Sequence, residues 1–229
     1  MAVGYRSSTT TKIANNNSIS GNKPAGLAVG DLLIGHFSMR GSSTPSAPAG
    51  WTDIDERTHS TDVTSLVSYK IADSSDVAAS NFTFTSTDSR DLGLGLTAFT
   101  GVNITNPIGS DISGMNGANA SSITIAGITP DNADSAIVMA VTTGSDSVGQ
   151  YSSWAIAVSD PTWTEVYDYS VNPGSVDGQI GLAFGLRPEV SATGNATVSM
   201  NTTTVRTGHL FAINPRVATD GGNFIFNLL

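Results

Sequence analysis

The hydrophobic positions along the chain fall into short runs, and their period is close to two. Segment 81–87 (NFTFTST) alternates strictly, with phenylalanine on one face and threonine on the other, which is the pattern of a half-buried β-strand. Only segment 72–80 (ADSSDVAAS) leaves room for one turn of helix. The pattern therefore predicts an all-β protein. Further strands are predicted over 31–39, 64–72, 92–102, 135–143, 162–171, 179–187, 196–201 and 205–214.

The two halves of the chain carry similar motifs in the same order. GDLLI, PAGWT, YKIA, FTFT and LTAF in the first half correspond to ADSAI, PTWT, FGLR, ATVS and HLFA in the second, and Trp51 to Phe99 and Trp163 to Phe211 both span 48 residues. About five strands per half are too few to bury both faces of a sheet. The repeat therefore predicts two packed halves with pseudo-twofold character, in a sandwich of about ten strands.

This organisation sets the expected domain limits. We expect a single jelly-roll-like β-sandwich over residues 23–215, with pseudo-repeat halves at about 23–105 and 120–215. Residues 1–22, rich in Ser, Thr and Asn, are predicted to be an N-terminal arm, and residues 216–229 a C-terminal apolar tail. The alternative is two small β domains divided near residues 103–120, the most linker-like segment.

Charge and composition narrow the classes of function. Charged residues make up 13% of the chain, the net charge is −9, and Lys and Arg form no run. These features argue against nucleic acids and anionic membranes as partners, because both are bound through clustered cations. The absence of Cys excludes disulfides and thiolate chemistry. The first residues lack the apolar core of a signal peptide, so synthesis in the cytoplasm without export is expected.

Several motifs resemble a family of virion-associated β-sandwich proteins of tailed bacteriophages. The resemblance rests on KPAGLAVGDLLIGHFSMRG, PAGWT, SYKIAD, FTFT and AFTGV in the first half and on GLRP (185–188) in the second. It implies a structural component of the virion, as a capsid decoration (cement) protein or a tail-fibre protein. The implied partners are the major capsid protein, tail proteins and further copies of the chain. Segment 144–160 departs from the family pattern as an insertion.

The last residues of the chain, GGNFIFNLL, are unusually apolar for a terminal segment. Burying each large side chain is worth roughly 1.5–3 kcal/mol, so the run can supply much of a micromolar contact. It folds back as an edge strand on its own sandwich, adds a strand to a neighbouring protein, or stays disordered or aggregates. The residues predicted to dock on a partner are Phe224, Ile225, Phe226, Leu228, Leu229 and, in the N-terminal arm, Tyr5.

The chain shows no strong signature of catalysis or cofactor binding, so we expect a protein that is not an enzyme and binds no cofactor or metal. It has no Gly-x-Ser-x-Gly elbow, P-loop or dinucleotide fingerprint. Three less supported hypotheses for a catalytic or metal-binding site stay open. Asp53 and Glu56 are a conceivable glycosidase pair, acidic turns such as 131–134 are conceivable calcium ligands, and His36 with His209 is a conceivable metal-binding or titrating pair.

Aromatic residues suggest carbohydrate as a further class of ligand. Trp51 and Trp163 recur in the repeat and are predicted to pack in the core or at an interface. Tyr151 and Trp154 lie in the inserted segment and are the candidates for surface recognition of a host glycan. The alternatives to a decoration protein are thus a tail or fibre component that contacts the host surface and a carbohydrate-binding module.

Overall fold

A computed structural model describes residues 2–144, 151–158, 161–170 and 179–216. These residues form twelve strands and one short helix, which confirms the all-β prediction. The helix, α1 (Ser74–Ala78), begins after Asp73, whose side chain caps it, in the segment where the sequence allows one turn. The strands are β1 (Gly4–Asn22), β2 (Leu32–Arg40), β3 (Pro45–Ser46), β4 (Thr52–His59), β5 (Val63–Ile71), β6 (Asn81–Thr100), β7 (Ser113–Ile125), β8 (Ser135–Thr143), β9 (Tyr151–Ile156), β10 (Thr164–Ser170), β11 (Gln179–Arg187) and β12 (Ala196–Ile213).

The strands make two antiparallel six-stranded sheets, one from each half of the chain. The first sheet has the order β1-β6-β2-β5-β4, with β3 beside β6. The second has the order β10-β11-β8-β12-β7, with β9 beside β12. Numbered from the start of its own half, the first sheet has its five main strands in the order first, last, second, fourth, third. The second sheet has the same order when it is read from β7 to β10.

The two sheets pack face to face as a β-sandwich. Strand β4 lies against β7 and β12, β5 against β12 and β8, β1 against β10, and β11 against β6 and β2. Side chains from both sheets, such as Leu32 and Phe99 in the first and Val138 and Phe211 in the second, form the core between them. The jelly-roll subtype is not confirmed, because each half of the chain completes its own sheet.

Each sheet also has a covered outer face. The N-terminal part of β6 folds over the first sheet, where the Phe84 ring lies against Gly35 and 5.4 Å from Trp51. On the second sheet Tyr151 lies against Gly181, and Trp163 packs against the outer cluster. The predicted packing roles of Trp51 and Trp163 are confirmed. The sandwich thus has a shared core between its sheets and a separate apolar cluster on each outer face.

The predicted N-terminal arm is wrong. Residues Gly4–Asn22 form β1, which pairs with β6 from Gly4 opposite Thr100 to Asn22 opposite Asn81. The segment resembles an arm because an edge strand keeps polar, partly exposed side chains. The backbone hydrogen bonds that hold it to β6 cannot be recognised from hydropathy. Its run of β-branched threonines at 9–11 was the available signal.

Candidate functional site

The exposed large hydrophobic side chains of the described residues gather at one end of the sandwich. Strands β1, β2, β7 and β8 begin at this end, and β6, β11 and β12 finish there. Since isolated exposed apolar residues are normal but clusters mark contact surfaces, this apolar end is the candidate functional site. Its members are Tyr5, Val29, Ile104, Ile112, Leu186 and Val190.

Contacts between the sheets bring these residues to the same end. The rings of Phe99, near the end of β6, and Phe184, near the end of β11, are 5.4 Å apart and meet edge to face. Tyr5 stacks on Phe184 with ring centroids 6.0 Å apart. A backbone bridge joins Val102 to Pro215 across the same end. Tyr5, which was predicted to dock on a partner, therefore packs partly against its own sandwich and keeps 39% of its surface exposed.

The two most exposed of these side chains, Val29 at 67% and Ile104 at 62%, lie on the walls of a groove. The groove has a volume of about 410 Å³. Val102, which is buried, also lines it, as does Arg216, whose backbone N–H donates to the Gly101 carbonyl at 2.7 Å. We call this feature the Val29–Ile104 groove.

The predicted docking residues of the tail lie outside the described part of the chain. Phe224, Ile225, Phe226, Leu228 and Leu229 belong to segment 217–229. The described chain reaches Arg216, in the wall of the Val29–Ile104 groove.

The predicted recognition surface around Tyr151 and Trp154 needs a correction. Tyr151 is only 3% exposed, and its hydroxyl donates to the Gln179 carbonyl at 3.2 Å, so burial raises the pKa of this phenol. Trp154 is half-buried, 5.8 Å from the Tyr151 ring, and donates from Nε1 to Glu165 at 2.8 Å. Tyr151 is an outer-core residue because β9 pairs with β12 and turns it onto the sheet.

A polar cluster lies between the sheets and contains both histidines of the candidate pair, His36 and His209, with partners that the sequence did not predict. His209 Nε2 is 2.7 Å from Ser65 Oγ, and His209 Nδ1 is 2.8 Å from Asp55 Oδ2. Ser65 Oγ is also 2.7 Å from Thr207 Oγ1, and Arg57 Nε donates to Asp55 at 2.7 Å. A neutral imidazole that donates from Nδ1 and accepts at Nε2 satisfies every one of these contacts. We call this cluster, with His36, the polar seam.

His36 occupies the middle of the seam. Its Nε2 is 2.9 Å from Thr142 Oγ1 on the opposite sheet, and its Nδ1 is 3.4 Å from the Tyr167 hydroxyl. The His36 and His209 rings are 6.3 Å apart. Burial, and secondarily the neighbouring His209, lowers the pKa of His36 well below its usual value, and burial also lowers the pKa of His209. Both histidines are therefore uncharged near neutral pH.

The Ser65–His209–Asp55 atoms have the connectivity of a serine hydrolase triad. Ser65 and His209, however, have no exposed surface, because the two sheets close over them. A substrate carbonyl has to come within about 3 Å of the nucleophile, and this packing gives it no path. What the seam can do is join strands β4 and β5 to β12 through hydrogen bonds.

The remaining sequence candidates are carboxylates in β4 and in the turn before β8. Asp53 and Glu56 lie on the edge strand β4, and burial raises the pKa of both carboxyls, with Asp53 adding to the effect on Glu56. Asp131, in an acidic turn, accepts hydrogen bonds from the Ser110 hydroxyl and amide. Within the described residues, no group of three or more His, Asp or Glu is placed to hold a metal ion.

Comparison with protein-family models, with curated proteins and with solved structures gives no match. Among the described residues, no helix is both long and apolar enough to cross a membrane.

Proposed function

We propose that the chain is a structural attachment protein of a tailed-phage virion, most specifically a capsid decoration or cement protein. Its apolar end fastens it to a neighbouring virion protein, and the sandwich acts as a rigid body behind that contact. The phage context comes from the sequence resemblance. The attachment role has its main support in the molecule itself, from the clustering of exposed apolar side chains at one end.

The energetics of the apolar end support this role. Val29, Ile104 and Val190 are each more than half exposed, so burial of the remaining surface of each against a partner contributes roughly 1–2 kcal/mol. The three together supply roughly half of the 8 kcal/mol or so of a micromolar complex, before the cost of association, and the other exposed members of the apolar end add to them.

We also propose that the two sheets descend from a duplicated unit. The strand order is the same in both halves, and the contacts between sheets follow a twofold pattern in which β1 meets β10 as β7 meets β4. Trp51 and Trp163 pack on corresponding outer clusters. A duplication explains how about five strands per half acquire a partner for their inner face.

The alternative roles receive less support. A carbohydrate-binding module built on Tyr151 loses its main stacking residue, because that ring is buried. A tail or fibre component remains the second virion hypothesis, since an apolar end suits attachment to a tail as well as to a head.

The test is co-sedimentation of the purified chain with heads of the phage that carries it. Full chain should bind, and Leu186→Asp/Val190→Asp should bind at least about 100-fold more weakly with an unchanged melting temperature, since two desolvated contacts become charged. Thr61→Asp, at the opposite end, is the matched control. Failure of the full chain to bind heads, or equal losses in both variants, would contradict the proposal.

A further inference from the structure

We infer that the outer edge of strand β7 binds an extended, acidic segment of a partner protein, whose carboxylate pairs with Arg206 across Gly117. The inference goes beyond the proposed function and does not rest on it, because it concerns the side of the second sheet and not the apolar end. Strand β7 ends the order of that sheet, so among the described residues it pairs with β12 alone. A strand with one neighbour presents N–H and C=O groups along its other side, where a further strand can be added.

Strand β7 lacks the features that usually protect an edge from such pairing. Edge strands are commonly blocked by charged side chains or by proline. The other three strands that end the two sheet orders carry charges, among them Lys12 in β1, Asp53 and Glu56 in β4, and Glu165 in β10. Strand β7, with the sequence SGMNGANASSITI, has neither a charged residue nor a proline. Its edge is therefore the one that accepts an added strand most readily.

An arginine on the neighbouring strand supplies the charge that selects the segment. Arg206 is paired with Gly117, and its side chain lies over this glycine, since a Cβ added there would be 3.3 Å from Arg206 Cζ and Nη2. Nε and Nη1 of Arg206 are buried and have no hydrogen-bond partner. Burial lowers the pKa of the guanidinium, and no carboxylate of the described residues is paired with it. Because buried donors are almost always satisfied, these two indicate an acceptor that a bound partner supplies.

The glycine places the guanidinium within reach of an added strand. Neighbouring strands lie about 4.8 Å apart, so the residue opposite Gly117 on an added strand is two spacings, roughly 10 Å, from Arg206. The Arg206 side chain crosses the first spacing, because Gly117 has no side chain in its way. A Glu or Asp opposite Gly117 then meets the guanidinium at the distance of an ordinary cross-strand pair. The register with β12 is regular over residues 113–117, which gives the added strand a regular edge on one side of this position.

The same arginine argues against a second copy of the chain as the partner. A twofold pairing of β7 with β7 would join two uncharged strands, but residues 113–125 contain no Asp or Glu. Arg206 would then keep its unsatisfied donors in both copies. An acidic segment of a different protein satisfies them.

Peptide binding tests the inference. The probe is the peptide Thr-Val-Thr-Glu-Thr-Val-Thr, acetylated and amidated, which reads the same in both directions, so either strand orientation places Glu opposite Gly117. Its matched peptide has Gln in place of Glu. The full chain should bind the Glu peptide at least about tenfold more tightly, with shifts in the amide resonances of residues 113–119. Arg206→Gln should remove this preference, and Arg90→Gln, in β6 of the other sheet, is the matched control that should keep it.

The backbone contact has its own control. Two further probes, N-methylated on the Thr amides or on the Val and Glu amides, block the two sides of the strand in turn. The probe whose methyl groups face β7 should lose its binding, and the other should keep it. The preference of the wild-type chain for Glu over Gln needs no variant, so the test stands even if Arg206→Gln does not fold.

Several results would overturn the inference. These are no binding of either peptide up to about 1 mM, equal affinity for the Glu and Gln peptides, and equal binding of both methylated probes. A dimer of the free chain in light scattering, dissociated by the Glu peptide, would assign the edge to a second copy. Head binding separates this inference from the proposed function: if the full chain binds heads but shows no preference for the Glu peptide, only the inference falls.

Discussion

The two ends of the sandwich carry grooves of the same size, and among the described residues only one of the two is lined by exposed large hydrophobic side chains. The Val29–Ile104 groove and a groove at the other end both have volumes of about 410 Å³. The second, the polar end, is lined by Asn15, Arg40, Gly41, Ser42, Thr61, Ser89, Arg90 and Asp91. Within the described residues it has no exposed large hydrophobic side chain, whereas the apolar end has six.

Turn formation accounts for the residues at the polar end but not for the exposed hydrophobic side chains at the apolar end. Strand connections need turn chemistry, which the polar end supplies, and its groups are satisfied locally, as in the bond from Asn15 N–H to Asp91 at 2.9 Å. Nothing in turn formation requires Val29 or Ile104 to face water. Exposed apolar side chains at one end are therefore best explained by contact with another surface.

The largest expected effect concerns the polar seam, which joins the sheets between the two ends. Asp55→Ala should lower the free energy of unfolding by about 2–4 kcal/mol, because it leaves His209 Nδ1 and Arg57 without their shared acceptor. Urea denaturation measures it. Asp62→Ala, whose carboxyl is 49% exposed, is the control and should change stability by less than about 0.5 kcal/mol. A similar small change for Asp55→Ala would mean that packing alone holds the sheets.

Acid should weaken the same seam. The pKa values of His36 and His209 are lowered in the folded protein, so below the unfolded value of about 6.5 the unfolded chain binds more protons. Stability is therefore full above pH 6.5 and falls as the pH drops toward the folded values. Burial opposes ionisation of Asp55, but hydrogen bonds from His209 and Arg57 lower its pKa overall, which adds a second loss below about pH 4.

Urea midpoints measured between pH 4.5 and 8 test this pH dependence. The groups that face His36 are His209, Tyr167 and Thr142, none of which supplies a negative charge. His36→Gln retains a donor for Thr142 and should flatten the slope between pH 6.5 and 5. Wild-type stability that stays constant down to pH 5 would show that the buried rings do not titrate with unfolding.

A smaller effect is expected from one substitution at the apolar end. Val190→Asp should weaken head binding about tenfold without altering the melting temperature, since Val190 is 55% exposed and lies on a loop. Isothermal titration with purified heads gives the affinity. Unchanged binding would remove the β11–β12 loop from the contact surface.

The smallest effect is expected at the polar end. Arg90→Ala should change the free energy of unfolding by no more than about 0.5 kcal/mol, because its pairing with Asp88 at 3.5 Å is between exposed side chains. Thermal unfolding of variant and wild type at matched salt is sufficient. A loss above about 1.5 kcal/mol would show that the polar end contributes more to the stability of the fold than its exposed side chains suggest.

Much of the fold was accessible from the sequence because strand alternation is local. Segment 81–87 and the apolar runs of β2, β8 and β11 were recognised from period and composition. The edge strand β1 was missed, since its polar side chains resemble those of an arm. The continuity of β6 was also missed, because this strand reads as two predicted strands, 81–87 and 92–102, interrupted by the polar stretch around residues 86–91.

The sites were less accessible because they assemble from distant positions. Ser65 and Asp55 lie 144 and 154 residues from His209, so no local motif connects them. Val29, Ile104 and Val190 are isolated apolar residues within turn segments and gain meaning only when the ends of the sheets come together. The prediction that Tyr151 lies on the surface failed because the alternation of side chains along β9 does not show which of its faces packs on the sheet.

Hydrogen–deuterium exchange of the full chain, free and bound to phage heads, tests the central claim most directly because it observes both ends at once. Attachment through the apolar end predicts slower exchange on binding in residues 23–31, 101–112 and 188–195, with no change in 40–44, 60–62 and 86–91. Protection confined to the polar-end segments, or no protection at either end, would contradict the account.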